Sequence, residues 1–117
     1  MIDLINFYRV KDLANVKRFY EDILQLPLYK DQGKCLIYCV EGHGKIGFCT
    51  HHPKNHNQDT CITFVYETKE DVDRMYKHLE HNLKDVDPPK MNEDFHIYHF
   101  YVQDFNDITL EFQMFKK

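Results

Sequence analysis

The groups in this 117-residue chain with chemistry to offer are four thiols, eight imidazoles and one acid on an apolar C-terminal run. Along Ile108–Phe115 the alternation sets Ile108, Leu110 and Phe112 on one face and Thr109, Glu111 and Gln113 on the other. Glu111 therefore has two readings. It is a solvent-facing acid, as glutamates mostly are, or it lies in a cavity, where a buried charge demands a pairing cation or donor and where it anchors a cationic ligand or acts as a base. His51, His52 and His56 are the densest imidazole set, but Lys54, Asn55 and Asn57 surround them as in a solvated loop. His51 lies two residues past Cys49 and shares its face if the strand continues. A Cys49–His51 nucleophile pair would still lack the oriented third group that such chemistry needs. His96 and His99, three apart, fall on opposite faces of a strand, and His78 and His81 sit on the outer side of a helix.

The remaining chemical signatures are missing. The sequence has no nucleophile elbow, phosphate loop or dinucleotide fingerprint, and Gly42 and Gly44 make a turn with no helix after it. Cys35, Cys39, Cys49 and Cys61 each sit in an apolar or β-like run, where cysteine behaves as a small hydrophobe. Without an export signal they read as free thiols rather than a disulfide framework.

Two amphipathic helices position these groups. Val16, Phe19, Tyr20, Ile23 and Leu24 recur at helical spacing, as do Val72, Met75, Tyr76, Leu79 and Leu83. The first helix spans Leu13–Leu24, with Lys11-Asp12 as its cap and Pro27 beyond its end. The second follows Thr68-Lys-Glu-Asp71, a capping box with Asp in place of Glu, and runs to about Asn82. Strands are expected at Leu4–Val10, Leu28–Lys30, Cys35–Val40, Ile46–Thr50, Cys61–Tyr66, Leu83–Val86, Phe95–Gln103 and Ile108–Phe115. Glu41–Gly44 and Asp104–Asp107 turn the two hairpins.

The order is β-α-β-β-β twice over. A shift of 56 carries Val16, Arg18 and Tyr20 onto Val72, Arg74 and Tyr76, and a shift of 62 carries Ile46 onto Ile108 and Cys35–Val40 onto Ile97–Val102. The longer connection in the second copy lies in Asn82–Glu93. Such self-similarity marks two copies of one supersecondary unit. At 14.2 kDa they read as a single domain over 1–117, with module one about 1–52 and module two about 60–117, since a half-length unit buries too little surface to stand alone.

The chain is 43% hydrophobic and carries a net charge of −4, which places it among folded globular proteins. Its Lys and Arg residues are scattered, so no nucleic-acid footprint exists. No run approaches the ~20 apolar residues of a membrane helix. The N-terminal residues do not resemble a signal peptide, so a cytoplasmic location is expected.

Val10-Lys-Asp-Leu13 followed by Phe19-Tyr20 and Leu24-Gln-Leu26 resembles the opening of the vicinal oxygen chelate superfamily, which includes glyoxalase I, bleomycin resistance proteins and extradiol dioxygenases. Phe100–Asp104 through Leu110-Glu-Phe112 resembles that family's closing hairpin, with Asp104-Phe-Asn-Asp107 where the family has an Asp-Pro-Asp-Gly turn. The resemblance implies an α+β fold in which two β-α-β-β-β modules form a curved mixed sheet around a shared cavity, with helices outside. It also implies a homodimer. Metal-dependent members place four ligands, usually His, Gln or Glu, on the first and last strand of each module. By the shifts above these positions are Ile5 and Cys49, then Cys61 and Glu111. Ile5 coordinates nothing, and two thiolates with one carboxylate favour a soft ion such as zinc.

The expectation is thus a cavity that binds a small organic molecule with no metal cofactor, in the manner of drug sequestration. Its lining would be Phe7, Arg9, Tyr38, Cys49, His51, Cys61, Thr63, Tyr101, Glu111 and Gln113, a mix suited to an aromatic, amphipathic or cationic compound. Glu111 is the candidate catalytic group. The alternative is a metal-dependent lyase, isomerase or dioxygenase with a divalent ion held by Cys49, Cys61, Glu111 and His51.

Overall fold

A computed structural model of the chain describes residues 1–50 and 60–117. It divides into two compact units, Met1–Asp59 with Phe105–Asp107, and Thr60–Asp104 with Ile108–Lys117. Each holds one four-stranded mixed sheet and one helix, as the repeated β-α-β-β-β order predicts.

In the first unit, β1 (Ile5–Arg9) leads into α1 (Leu13–Val16), which continues as a π-helix over Lys17–Ile23 and is followed by β2 (Leu28–Asp31), β3 (Cys35–Cys39) and β4 (Lys45–Cys49). Asp12 starts the helix because its carboxylate accepts the otherwise unpaired backbone N–H of Ala14 at 2.8 Å. The strand order is β1-β4-β3-β2, with β1 parallel to β4 and the other pairs antiparallel. One face of this sheet packs on the helix through Leu36, Tyr38 and Phe48, with the Tyr20 ring 4.3 Å from Phe48. Phe105 completes this unit, edge-on to Phe19 at 5.2 Å and under the Arg18 guanidinium at 4.8 Å.

On the opposite face the Phe7 ring lies across its ladder partner Gly47. A Cβ on Gly47 would come within 2.5 Å of that ring. The antiparallel ladder also sets Cys35 directly opposite Cys49, with Cα atoms 4.1 Å apart and the sulfurs joined as a disulfide. This overturns the free-thiol expectation at those two positions, because cross-strand register brings together cysteines that sequence separates. Cys39 and Cys61 remain free.

The second unit contains β5 (Cys61–Tyr66), α2 (Lys69–Asn82), β6 (Lys90–Asn92), β7 (Ile97–Gln103) and β8 (Thr109–Phe115). Its order, β5-β8-β7-β6, repeats the first sheet, with β5 parallel to β8. Thr68 caps α2 by accepting from the Asp71 N–H at 3.1 Å. Fully buried Val72 and Leu79 face the sheet, each contributing about 1.5–3 kcal/mol by its burial. Phe112 forms the centre of this core, with Phe100 and Phe64 stacked on it at 5.1 and 5.4 Å. The short strand before the hairpin is Lys90–Asn92 rather than Leu83–Val86. The Met91 and Asn92 backbones pair with Tyr98 and Ile97, whereas Leu83–Val86 forms no strand.

The hairpins correct the repeat as well. Cys39 pairs with Lys45, and Gln103 with Thr109, so the two turns superpose at a shift of 64 rather than 62. Both shifts are even, so each residue keeps its face.

Two outcomes follow from the first unit. Thiol titration of denatured protein should count two thiols per chain before reduction and four after. A count of four before reduction would remove the Cys35–Cys49 bond. Gly47→Ala should lower stability by about 1–3 kcal/mol through overpacking against Phe7. In a urea-denaturation double-mutant cycle, most of that loss should vanish in a Phe7→Ala background. An equal loss in both backgrounds would acquit the ring.

Candidate functional site

Three neighbouring strands of the second unit carry the polar groups on the face away from α2. The ladder puts Thr63, Glu111 and Tyr101 in one row across β5, β8 and β7, with Val65, Gln113 and His99 in the next row. Alternation along each strand turns all six side chains to one side, while Phe64, Phe112 and Phe100 go to the helix.

Glu111 is the centre of this arrangement. It is only 8% exposed, and a carboxylate removed from water must be hydrogen-bonded. Thr63 donates its hydroxyl to Oε1 at 2.8 Å, and Nδ1 of His99 lies 2.7 Å from Oε2. The Gln113 amide, with its nitrogen turned toward the acid, donates to both oxygens at 3.2 Å. Tyr101 sits directly across the ladder from Glu111, and its hydroxyl feels the charge of the same carboxylate. His99 is diagonal to Glu111 across the β7–β8 pair, within the reach expected of such neighbours, and its ring stands edge-on to Tyr101 at 5.1 Å.

The acid also marks its neighbours. Burial, then the Glu111 charge, hold the Tyr101 hydroxyl above the ordinary tyrosine pKa. Cys61 is exposed as a residue, but partial removal of its thiol from water pushes it up, and the Glu111 charge adds to this, while the Thr63 hydroxyl, 3.8 Å from the sulfur, acts in the opposite direction.

Beside the cluster opens a cavity of about 350 Å³, lined by Asn92, Phe95, Ile97, His99, Tyr101, Glu111, Gln113 and Phe115. Phe95, Phe115 and Tyr101 are 71%, 58% and 51% exposed. An aromatic rim thus surrounds a polar floor, the composition that suits a small organic ligand.

Of the residues expected from sequence, Cys61, Thr63, Tyr101, Glu111 and Gln113 share this face, and the last three line the cavity. Phe7, Arg9 and Cys49 share one face of the first unit's sheet, where Phe7 pairs with Gly47 and Arg9 with Cys49. Tyr38 does not join them. It is fully buried against the helix, 6.1 Å from the Tyr20 ring, and donates to Glu21 Oε1 at 2.8 Å, so its assignment to a cavity is corrected. His51 lies outside the described residues. Sequence reading missed His99, although the two-residue spacing from Tyr101 already put both on one face. It also missed Asn92, Phe95, Ile97 and Phe115.

The metal ligand set implied by the resemblance does not fit these residues. Ile5 has no donor atom, and the Cys49 sulfur is bonded to Cys35. With the hairpins shifted by 64 and the first strands by 56, Gly47 corresponds to Glu111 and Phe7 to Thr63. Where the second unit holds a carboxylate, the first has a hydrogen atom beneath an aromatic ring that leaves no room for a Cβ. Among the described residues no group of three or more His, Cys, Asp or Glu side chains is placed to hold a metal ion.

Comparison with known proteins agrees with this architecture. The family model described as Glyoxalase/Bleomycin resistance protein/Dioxygenase superfamily matches residues 2–112. A possible glyoxalase from Bacillus cereus superposes with a TM-score of 0.77 at 20% identity, covering 96% of this chain and 97% of the other. A lactoylglutathione lyase from Agrobacterium tumefaciens gives 0.78 at 16% identity, covering 95% and 91%. The fosfomycin resistance protein FosX from Listeria monocytogenes gives 0.76 at 17%, covering 95% and 90%. At these identities the likeness is one of fold. No curated protein matches the sequence.

The raised Cys61 thiol supplies a reporter of the acid. Alkylation of Cys61, followed by mass spectrometry across pH, should show a midpoint above that of an ordinary cysteine thiol, and Glu111→Gln should move it down. A midpoint unmoved by that substitution would mean that the Glu111 charge does not reach the sulfur.

Proposed function

The chain belongs to the Glyoxalase/Bleomycin resistance protein/Dioxygenase superfamily, and we propose that it binds a small aromatic compound at the Glu111 face of its second unit, without a catalytic metal. The observation that carries this reading is the cavity itself: Phe95, Tyr101 and Phe115 around a floor of buried Glu111, His99 and Gln113. Aromatic side chains offer a flat ligand a large contact area, and the polar floor orients it. The fold is shared with a lactoylglutathione lyase and a fosfomycin resistance protein, whose names refer to small organic compounds.

Metal-free binding is the part of the proposal that departs from the family's chelate chemistry. It rests on the donor set: a hydrocarbon at Ile5, an oxidised sulfur at Cys49 and a hydrogen atom at Gly47 give a metal nothing to hold. A carboxylate already met by Thr63, Gln113 and His99 also has no need of a cation to offset its burial. The metal-dependent lyase, isomerase or dioxygenase reading therefore gains no support from these residues.

The homodimer belongs to the same proposal, and so does a cytoplasmic location. Among the described residues no helix is long and apolar enough to cross a membrane. A disulfide such as Cys35–Cys49 is commonest in oxidising compartments, so the thiol count given above bears on the location too.

Binding is read by thermal shift with a panel of small aromatic compounds that includes nitroindazole. A ligand present at about a hundred times its Kd adds about 2.7 kcal/mol to stability, a rise in Tm on the order of 10 °C for a domain of this size. Tyr101→Ala should abolish most of that rise. Elemental analysis of the same protein should find metal well below one ion per chain, before and after incubation with divalent ions. A panel without any shift would overturn the binding reading, and one ion per chain lost on Glu111→Ala would overturn its metal-free form.

A further inference from the structure

We infer that His99 is a general base held ready by Glu111, so that the cavity can remove a proton from the compound it binds. The inference rests on the binding reading above and adds a reaction to it.

Glu111 accepts from Thr63 and Gln113. Surrounded by donors, its carboxylate acts as an acceptor toward His99 as well, so the proton in the 2.7 Å contact belongs to Nδ1. That fixes the neutral tautomer and leaves the lone pair on Nε2. The His99 side chain is 7% exposed and lines the cavity. Among the described residues Nε2 has no hydrogen-bond partner. A buried basic nitrogen without a partner at the wall of a cavity is costly as pure structure. It is what a base awaiting a substrate proton looks like.

The step balances without metal, oxidant or cofactor. An acidic C–H bond of the bound compound breaks, its proton goes to Nε2, and the electron pair stays on the ligand as a delocalised anion. The imidazolium that forms is stabilised by the Glu111 carboxylate across the Nδ1–H bond. Asn92 also lines the cavity, and since its Oδ1 accepts from the Asp94 and Phe95 backbone N–H groups, what it can offer the anion is its amide N–H. Return of the proton to a different atom completes an isomerisation. Loss of a leaving group completes an elimination. The compounds suited to this are flat aromatic or conjugated carbon acids. His99 is the catalytic residue, and Glu111 is a positioning residue that acts through it.

Nitrobenzisoxazole is a suitable probe. One base removes its ring C–H proton, the N–O bond breaks, and a coloured cyanophenolate leaves, with nothing else consumed. Nitroindazole, nearly the same shape, cannot react and reads binding alone. The expected result is saturable ring opening, accelerated about 100-fold or more over buffer. His99→Gln should lose nearly all of it while still binding nitroindazole with a Kd within about tenfold of the unsubstituted protein, which separates loss of the base from collapse of the cavity. Glu111→Gln should give an intermediate kcat with little change in KM.

NMR of the imidazole nitrogens in the unsubstituted protein should show Nδ1 protonated and Nε2 bare, and this preference should become mixed in Glu111→Gln, a change that a merely structural acid would not cause. Nitroindazole binding without ring opening, ring opening that survives His99→Gln, or a proton on Nε2 would each overturn the base while leaving the binding reading in place. If nitroindazole does not bind, the binding reading for such compounds falls and the inference falls with it.

Discussion

A carboxylate taken out of water has to be met by donors, and in this protein that requirement organises one face of a sheet. Glu111 is nearly buried, and leaving it unpaired would cost more than the hydrophobic gain of several neighbouring side chains. Thr63, Gln113 and His99 meet it from β5, β8 and β7. Because the donors come from β5, β7 and β8 together, the acid ties the parallel and antiparallel halves of the ladder to a single register. A slip of one residue would turn every one of these groups toward α2.

The two units solve the same backbone problem with different side chains. Phe7 over Gly47 stands where Thr63 bonds Glu111, and the Cys35–Cys49 cross-link stands where His99 pairs across to Gln113. Ring, glycine and disulfide carry no polar group that has to be hydrogen-bonded. Acid, imidazole, hydroxyl and amide form a polar face that needs hydrogen bonds. A topology repeated in the chain thus need not repeat a chemical role, and among the described residues the groups of the proposed proton transfer belong to one copy.

Much of this was legible from alternation. Glu111, Gln113, Thr63, Tyr101 and Cys61 fall on one face by parity alone, and both helices announce themselves through their apolar stripes and the caps at Asp12 and Thr68. Parity fails where a strand is buried on both sides: Cys35, Leu36, Ile37 and Tyr38 are all nearly inaccessible, so nothing in the pattern tells which face holds Tyr38. His99 was hidden by its pairing with His96. The His96 backbone takes a left-handed conformation, φ 55°, just before β7 begins, so the spacing between the two says nothing about faces, while that between His99 and Tyr101 does.

The two-residue error in the repeat has a similar origin. Matching Ile46 with Ile108 aligns hydrophobic residues, and an apolar alternation matches itself at any even shift. Only a feature without that degeneracy can fix the register. The hairpin turns are such a feature, since Cys39–Lys45 and Gln103–Thr109 each close a ladder of fixed geometry. Once the turns set the shift, the residue in the first unit that matches Glu111 is a glycine and not a cysteine. The mismatch with the ligand set that the resemblance implies then no longer depends on the redox state of Cys49. It rests on the absence of any side chain at Gly47, and on a Phe7 ring that leaves no room there for a Cβ.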